Sequence, residues 1–440
     1  MIRVKSTDHL EKDSLQQPIL LNDSLEADEE SECRVYPIRY WHLVIFCAVS
    51  FTNQLIWISF SPIADAVQEY MGCSYLSVDV LSLVYLFVFP FGSIIVSLMM
   101  DAYGLRFTMR FGTALNALGA LVRWAAVLVH SNDENRYLVL LLGQTLCAVA
   151  QPVFTNLSVR LATTWFQNHD LPTMLASLSA TIGSAFGQVL PPILVSSSGS
   201  GLPWLLFIEA AMSVVYLPAV LCKFDDKPPL PPTLASANRP VEPVLLRRKS
   251  SVQRVRSNVW GLFREIEFVK LCGIFGLGLG IINTLLTMTS QIVGRSGYDN
   301  YEAGLLGATL LTSGLLSAVA VSIAMEFSKA YGKAIRAGYF LSGICLCAIA
   351  LCLRPDNYFL LLAAFVGLGL SAIPMMPVTL EAAAEITYPC PEELSSGVLT
   401  TAGQFWGIIF IFVLDKMLDY EGHNKTTVAT PMRIFIICVG

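Results

Sequence analysis

Two amides and an indole lie inside a long apolar stretch near the start of the chain. Between Arg39 and Asp65 there is no charged residue, yet this stretch contains Asn53, Gln54 and Trp57. Polar groups at bilayer depth are tolerated where they face the interior of a helix bundle or a watery cavity. The face of an indole can hold an organic ammonium ion, and amides can hydrogen-bond its polar groups. The stretch is therefore predicted to form one wall of a path for a small solute.

The composition of the chain indicates a membrane protein. Of its 440 residues, 54% are hydrophobic and only 14% are charged, whereas soluble domains average about 25% charged residues. The eleven cysteines are scattered and form no C-x-x-C pair, so neither a zinc site nor a disulfide framework is indicated. We expect no metal and no cofactor. No P-loop, nucleotide-binding glycine motif or H-E-x-x-H sequence occurs, which predicts that the chain is not an enzyme.

Apolar runs long enough to cross a bilayer recur with short connections between them. Twelve spans are predicted, at about 40–67, 78–101, 106–130, 136–164, 172–196, 203–222, 266–292, 302–326, 335–353, 357–384, 393–418 and from 429 onward. The last run covers roughly half a bilayer at 1.5 Å per residue and looks truncated. The predicted fold is all-α, with a disordered cytosolic tail at 1–38, a six-helix half at 39–222, a cytosolic linker at 223–262 and a second six-helix half at 263–440.

The distribution of Lys and Arg predicts the orientation. Most of these residues lie before the first span, after spans 2, 4 and 8, and in the linker. By the positive-inside rule, both termini and the linker are expected in the cytosol. Asn424 begins a glycosylation sequon in the predicted outer loop before the last span, which agrees with this orientation. We expect a multi-pass protein of the plasma membrane, with the lysosome or another endomembrane as the alternative.

A short motif occurs at the same place in both halves. The sequence M-D-A-Y-G-L-R occupies 100–106, and the second half has M-E at 325–326 followed by Y-G-K at 331–333. An acid, a Tyr-Gly turn and a cation at this place resemble the loop signature of the major facilitator superfamily, in which such charges latch a cytosolic gate. An ordinary interfacial salt bridge is the alternative. The predicted gate residues are Asp101, Arg106, Arg110, Arg160, Glu381 and Glu385, with the two glutamates as partners for Arg110 or Arg160.

Four stretches resemble one branch of that superfamily, the FLVCR-related transporters of solute carrier family 49. They are N-Q-L-I-W at 53–57, L-S-L-V-Y at 81–85, G-Q-T-L-C-A-V-A-Q at 143–151, and E-A-A-A-E-I-T-Y-P at 381–389 followed by G-Q-F-W-G at 403–407. The sequence I-W-I-S-F-S-P-I-A-D at 56–65 is most similar to the major facilitator domain-containing 7 type of that family. The resemblance implies twelve transmembrane helices in two six-helix halves around a central cavity.

The resemblance also implies a substrate pocket. In the choline- and ethanolamine-carrying members a Trp, a Tyr and two Gln contact the substrate, and the matching residues here are Trp57, Tyr85, Gln151 and Gln404. Two walls depart from that pattern, because Asn283 stands in place of a Tyr and Thr181 in place of a Gln. Asn53 and Trp406 complete the predicted substrate-binding set. Each residue has a plainer reading, since Trp57 could be a core aromatic and the glutamines could hydrogen-bond neighbouring helices.

Glu209 and Arg123 are ionisable residues inside predicted spans. An intramembrane acid is a functional candidate by default, so Glu209 could couple transport to protons or bind a cation. Arg123 could pair with it, and structural pairing is favoured for Arg123. The predicted function is transport of a choline- or ethanolamine-like cation by alternating access. The alternatives are a proton-coupled carrier of a vitamin-like metabolite, a haem exporter, and a receptor or scaffold that does not transport. The expected partners are a small-molecule substrate and the lipid bilayer, with no nucleic acid, and the protein is expected to be a monomer.

Overall fold

The computed structural model describes residues 34–129, 133–167, 170–230, 232, 261–387 and 392–423, and within these ranges the regular structure is entirely helical. The helices before residue 231 are α1 (Ile38–Ile58), a 3₁₀ turn (Ser61–Ile63), α2 (Ala64–Met71), α3 (Tyr75–Leu128), α4 (Asp133–Trp165), α5 (Asp170–Leu194) and α6 (Leu202–Lys223). The helices after residue 260 are α7 (Ile266–Thr287), α8 (Thr289–Gly294), α9 (Asn300–Ser328), α10 (Tyr331–Cys352), α11 (Tyr358–Ala372), α12 (Met375–Thr387) and α13 (Glu392–His423).

These helices account for eleven of the predicted spans. Ten segments in the described part of the chain are long and apolar enough to cross a membrane, and one of them, Tyr75–Leu128, has 54 residues, enough for two crossings. That segment bends at Gly104, where the backbone adopts φ 81° and ψ −179°, which agrees with the prediction that spans 2 and 3 are separate crossings. The predicted twelfth span and the sequon at Asn424 lie outside the described residues.

Gly104 forms the turn between the second and third crossings. A residue other than glycine would be strained at this positive φ, and its Cβ would collide with the Asp226 carboxylate. That carboxylate accepts a hydrogen bond of 3.0 Å from the main-chain N–H of Arg106, one of the N–H groups left without a partner where a helix begins. A residue just after α6 therefore fixes the turn of the M-D-A-Y-G-L-R motif.

The corresponding turn in the second part of the chain is built differently. Lys329 adopts the left-handed conformation there, with φ 49°, whereas Gly332 lies inside α10 with open space around it. The repeated Tyr-Gly pair therefore does not form the same turn twice, although the motif predicts that it does. In the second half the residue with positive φ is Lys329, directly after α9, and a left-handed residue at this place is a common way to end a helix.

Three of the predicted spans are interrupted. The first breaks after Ile58 and continues through the 3₁₀ turn into α2, and the seventh breaks at Met288 between α7 and α8. The tenth breaks between Ala372 and Met375, where Pro374 cannot donate a main-chain hydrogen bond. Hydrophobic length predicts one continuous helix in each case. At these breaks, backbone N–H and C=O groups in the protein interior lack partners in their own helix, and neighbouring helices can supply hydrogen bonds to them.

The buried core joins the two parts of the chain at the centre of the bundle. We call the end where α6 ends and α7 begins the linker end, and the opposite end the far end. Near the linker end one apolar cluster comes from residues 43–224 and a separate one from residues 262–399. At the centre a cluster combines both parts, including Ile56, Leu86, Leu286 and Leu414. At the far end the first part also has a cluster of its own, from residues 60–206.

Hydrogen bonds also join the two parts at the far end. Ser290 Oγ donates to the main-chain oxygen of Ser61 over 2.7 Å, and Gln188 Nε2 donates to that of Leu286 over 2.9 Å. The hydroxyl of Ser61 also donates to the oxygen of Leu286. We call residues 34–223 the N-terminal half and residues 261–423 the C-terminal half. The far end is thus closed by polar contacts between opposite halves, made by α5 and by the breaks in the first and seventh spans.

Candidate functional site

An aromatic pair lies near the middle of the N-terminal half. Trp57, in the last turn of α1, and Tyr85, in α3, have ring centroids 6.5 Å apart at an interplanar angle of 43°. Trp57 is 8% exposed and Tyr85 is fully buried. The indole Nε1 has no hydrogen-bond partner among the residues described, whereas the phenol of Tyr85 lies against the thiol of Cys147. A buried indole is usually hydrogen-bonded, so Trp57 retains capacity for a ligand.

An amide pair from the C-terminal half lies against the same helix as Tyr85. Asn283 Nδ2, in α7, donates to Gln404 Oε1, in α13, over 3.2 Å. Gly407 lies one turn after Gln404, and a Cβ placed on it would lie 2.9 Å from the side chain of Leu86 and 3.5 Å from that of Asn283. The chain segment that carries the phenol of Tyr85 therefore meets the two helices that carry the amides. Trp57, Tyr85, Asn283 and Gln404 lie around the interface between the halves.

Gln151 is the third predicted amide. It lies in α4 and is 7% exposed, and its Oε1 has no hydrogen-bond partner within the described ranges. The next residue, Pro152, packs against Gly92 of α3, where a Cβ would lie 2.8 Å from the proline ring. A buried carbonyl oxygen without a donor is costly. Gln151 therefore has the free acceptor expected of a ligand contact, although no direct contact ties it to Trp57.

The contacts described for two further predicted site residues, Trp406 and Thr181, do not involve the Trp57–Tyr85 pair. Trp406 packs against Gly276 and Gly280 of α7, and its described ring contacts are Phe405 and Phe410, at 6.3 and 5.6 Å, rather than the Trp57–Tyr85 pair. Thr181 is half-buried and donates 3.5 Å to the main-chain oxygen of Ser177 in its own helix. Trp406 therefore contributes mainly to the packing of α13 on α7.

Asn53 belongs to a hydrogen-bonded network inside the N-terminal half. Its Nδ2 donates to Asn116 Oδ1 over 2.8 Å and to the main-chain oxygen of Cys147 over 3.0 Å. Asn116 in turn donates 3.3 Å to the hydroxyl of Ser213. These bonds connect α1, α3, α4 and α6. The Asn53 amide nitrogen is thus occupied by protein partners, and Asn116 and Ser213 are members of this network that the sequence analysis missed.

Arg123 and Glu209 form a buried ion pair. Arg123 Nη1 lies 2.8 Å from Glu209 Oε2, and both side chains are 1% exposed. Arg123 Nη2 also donates 3.2 Å to the hydroxyl of Ser59, and its guanidinium lies 4.6 Å from the ring centroid of Phe60. The pair therefore joins α6 to the third crossing and to the break after α1. The expected pairing of Arg123 is confirmed, and it leaves Glu209 with a fixed counter-charge.

The predicted gate residues lie toward the linker end. Arg110 donates to the main-chain oxygen of Leu221 near the end of α6, and Arg106 is exposed beside the turn at Gly104. Asp101 and Arg160 are both half-buried. Glu381 and Glu385 are exposed on α12 and lie within electrostatic range of the Tyr331 phenol at the start of α10. Arg110 is thus engaged within the N-terminal half, and the gate roles of these residues stay a prediction.

A buried acid outside the predicted site lies at the far end. Asp79, in α3, is 2% exposed and accepts a hydrogen bond of 2.7 Å from Gln291 Nε2, in α8 of the C-terminal half. A second acid, Asp415 of α13, is 7% exposed and lies within electrostatic range of Asp79. The rule that singled out Glu209, an acid inside an apolar run, applies equally to both. Asp79 was overlooked because the span was predicted to begin at about 78, whereas α3 begins at Tyr75.

Residues 46–411 match the family model of the Major Facilitator Superfamily. Solute carrier family 49 member A3 of Danio rerio is 30% identical over 429 residues, which cover 95% of this chain and 88% of the relative. The member A3 of Xenopus tropicalis is 29% identical over 424 residues, covering 92% and 83%. The choline/ethanolamine transporter FLVCR1 of Mus musculus is 30% identical over 416 residues, covering 88% and 71%.

A solved structure agrees with the fold. The crystal structure of the nucleoside transporter NupG superimposes with a TM-score of 0.65 over 90% of this chain and 96% of that one. At 12% sequence identity, this similarity concerns the arrangement of the helices alone.

Proposed function

This chain belongs to the Major Facilitator Superfamily and, within it, to solute carrier family 49, and on that premise we propose that it carries a small cation of the choline or ethanolamine class by alternating access. As a family member it is a multi-pass membrane transporter and not an enzyme. The relative FLVCR1 is named a choline/ethanolamine transporter. We further propose that the protein acts as a monomer in the plasma membrane, with both termini in the cytosol.

The observation that carries the proposal is the grouping of two aromatic rings and two amides at the interface of the halves. Trp57 and Tyr85 come from the N-terminal half, and the hydrogen-bonded Asn283 and Gln404 come from the C-terminal half. A solute bound between them would contact both halves at once. Its binding energy could then differ between two arrangements of the halves, which is the requirement for a ligand to drive a conformational change.

The chemistry of this group suits an organic ammonium ion. Such an ion over an indole or phenol face gains about 0.5–2 kcal/mol, and more when water is excluded. The oxygens of Gln404 and Gln151 are acceptors for a primary ammonium or for a hydroxyl group. A weakly hydrated cation loses little on leaving water, so aromatic faces and amide dipoles can hold it without a carboxylate. The buried ion pair of Arg123 and Glu209 is already neutral and is not required for binding.

Alternating access is supported by the different packing at the two ends. The cores of the halves form separate clusters at the linker end, whereas hydrogen bonds join the halves at the far end. This arrangement corresponds to a state that is open at the linker end. In the positive-inside orientation this is the cytosolic side. The reverse state would need the far-end hydrogen bonds to break and the linker-end clusters to approach each other.

The test is uptake of radiolabelled choline and ethanolamine by the purified protein in liposomes. Loss of the cation–π contact in Trp57→Ala predicts a reduction in apparent affinity of about 2- to 30-fold, which is 0.5–2 kcal/mol converted at 1.4 kcal/mol per tenfold. The control is Trp204→Ala, because Trp204 is 68% exposed at the start of α6 and should leave uptake unchanged. Both variants are first compared with the parent by size-exclusion chromatography.

A competitor separates recognition of charge from recognition of shape. The uncharged isostere of choline, in which a quaternary carbon replaces the ammonium nitrogen, should compete about 2- to 30-fold more weakly than choline, since it lacks the cation–π interaction of about 0.5–2 kcal/mol. Equal competition would show that the charge is not recognised. Unchanged choline uptake in Trp57→Ala, or no uptake of either amine by the parent, would refute the proposed substrate class.

A further inference from the structure

A buried carboxyl group joins the two halves at the far end, and one of its two oxygens has a described hydrogen-bond partner. Asp79 Oδ1 accepts the hydrogen bond from Gln291 Nε2. Asp79 Oδ2 is also buried, and it has no hydrogen-bond partner in the described part of the chain. An ionised carboxylate has acceptor sites on both oxygens. An ionised Asp79 would therefore leave one charged oxygen buried without a donor.

A second buried acid makes full ionisation at this place still less favourable. Asp415 of α13 lies within electrostatic range of Asp79, and the two side chains are only 7% and 2% exposed. Two carboxylates that share a buried site repel each other, so such sites retain a proton. The hydrogen-bond donor to Asp79, the Gln291 amide, is neutral and supplies no counter-charge.

The cations and phenols around this position are engaged elsewhere. In the described ranges Arg123 pairs with Glu209 and Arg136 pairs with Asp133. Arg295 is exposed and lies within electrostatic range of the Tyr75 phenol, which donates a hydrogen bond to Asp65. The Tyr137 phenol donates to the main-chain oxygen of Ser77, and Lys416 and Glu69 are exposed. None of the contacts described for these groups places a cation on the Asp79 carboxyl, whose described hydrogen-bond partner is the neutral Gln291 amide.

We propose that Asp79 holds a proton while the far end is closed and releases it to water when the halves separate there. The O–H bond breaks as water enters between α3 and α8 and replaces the Gln291 amide as the hydrogen-bond partner of the ionised carboxylate. One proton is thereby bound on closure and released on opening. The inference extends the proposed transport cycle by making it proton-coupled, but the proton step itself depends only on the separation of the halves.

The experiment follows the opening of the far end without any transported solute. Ser290 is 2% exposed and donates to the oxygen of Ser61 across the closure. A Ser290→Cys variant in lipid nanodiscs is treated with a polar maleimide between about pH 5.5 and about pH 8.5, with the rate corrected for the reactivity of the thiol. Because a deprotonated Asp79 favours opening, corrected labelling should rise by up to about tenfold per pH unit between the pH at which Asp79 ionises in the open state and the higher pH at which it would ionise in the closed state, and should level off above that. The chain without the new cysteine measures labelling of the native thiols.

Three further variants test the source of the pH dependence. Asp79→Asn is neutral at every pH and should abolish the rise in labelling. Gln291→Lys keeps the acid but supplies a counter-charge, so it should also remove the rise while the far end stays closed. The control Glu69→Gln removes an exposed acid at the same end and should label as the parent does. The inference is overturned if Asp79→Asn still follows pH, or if sodium ions rather than pH change the labelling.

The outcome can be separated from that of the proposed substrate. A pH-dependent far end in a protein that carries neither choline nor ethanolamine would refute the substrate class and retain the proton step. Choline uptake that is indifferent to an imposed pH gradient, with labelling also independent of pH, would retain the substrate class and refute the proton step.

Discussion

Replacing both members of the Arg123–Glu209 ion pair should harm the protein much less than replacing either one. The two charges are 2.8 Å apart and almost completely buried. Removing one partner leaves an uncompensated buried charge, which typically costs about 3–5 kcal/mol, whereas exchanging both for apolar side chains of similar volume is often nearly neutral. We therefore expect Arg123→Met and Glu209→Leu each to lower the free energy of unfolding by about 3–5 kcal/mol.

The double variant should recover most of that loss. The bond from Arg123 to Ser59 and its contact with the Phe60 ring are lost in the double variant too, and together they are worth about 1–2 kcal/mol. The expected net destabilisation of the double variant is thus about 1–2 kcal/mol. The coupling energy between the two positions follows by difference and should be at least about 4 kcal/mol.

The measurement is unfolding in mixed detergent micelles with increasing SDS, supported by melting temperatures from size-exclusion chromatography after heating. Glu209→Gln adds a useful comparison, because it keeps the volume of Glu209 and removes only the charge. Destabilisation in the double variant equal to the sum of the two single variants would refute the reasoning. It would mean that each side chain is stabilised by contacts other than its partner.

Two further predictions concern the turn and the amide network. Gly104→Ala should destabilise the protein by about 1–2 kcal/mol or more, because φ 81° is unfavourable for alanine and the Asp226 carboxylate must move; Gly332→Ala, at a helical position with open space, should be neutral or slightly stabilising in the same melting assay. Asn53→Ala should lower stability by about 1–3 kcal/mol by leaving the Asn116 and Cys147 oxygens without their donor. The affinity of Asn53→Ala for choline, measured on the folded fraction, should stay within about twofold of the parent, and a larger loss would instead place Asn53 in contact with the substrate.

The sequence predicts the membrane crossings well because a single physical length determines them. A crossing must bury about 20 residues in hydrocarbon, so the apolar runs alone locate the helices. The run predicted at 203–222, for example, forms α6 at Leu202–Lys223. The breaks at Met288 and before Met375 could not be predicted in this way. They depend on which backbone groups find partners in neighbouring helices, and hydrophobicity does not report this.

The candidate site was predictable only as a list of residue types. The sequence suggests that Asn283 and Gln404 belong to one site, but it cannot show that they bond to each other at 3.2 Å. It does not show that the amide nitrogen of Asn53 is engaged by Asn116, while the side-chain oxygens of both Asn53 and Gln151 have no described partner. In the sequence, Asn53 and Gln151 look equivalent because both carry a carboxamide inside an apolar run. Their difference arises from helix rotation and from neighbours that are distant along the chain.

The polar contacts separate into those within one half and those between halves, and only the second group can control a movement of the halves. Among the described residues, four hydrogen bonds cross the far end, from Ser61, Gln188, Ser290 and Gln291. At about 0.5–1.5 kcal/mol each, they sum to about 2–6 kcal/mol. Shifting a two-state equilibrium from 1:99 to 99:1 takes about 5.5 kcal/mol. The polar part of the closure is thus of a size that a bound cation at Trp57 together with loss of one proton from Asp79 could overcome. The Arg123–Glu209 pair lies wholly within the N-terminal half and would move with it unchanged, which is why we assign the proton step to Asp79 and not to Glu209.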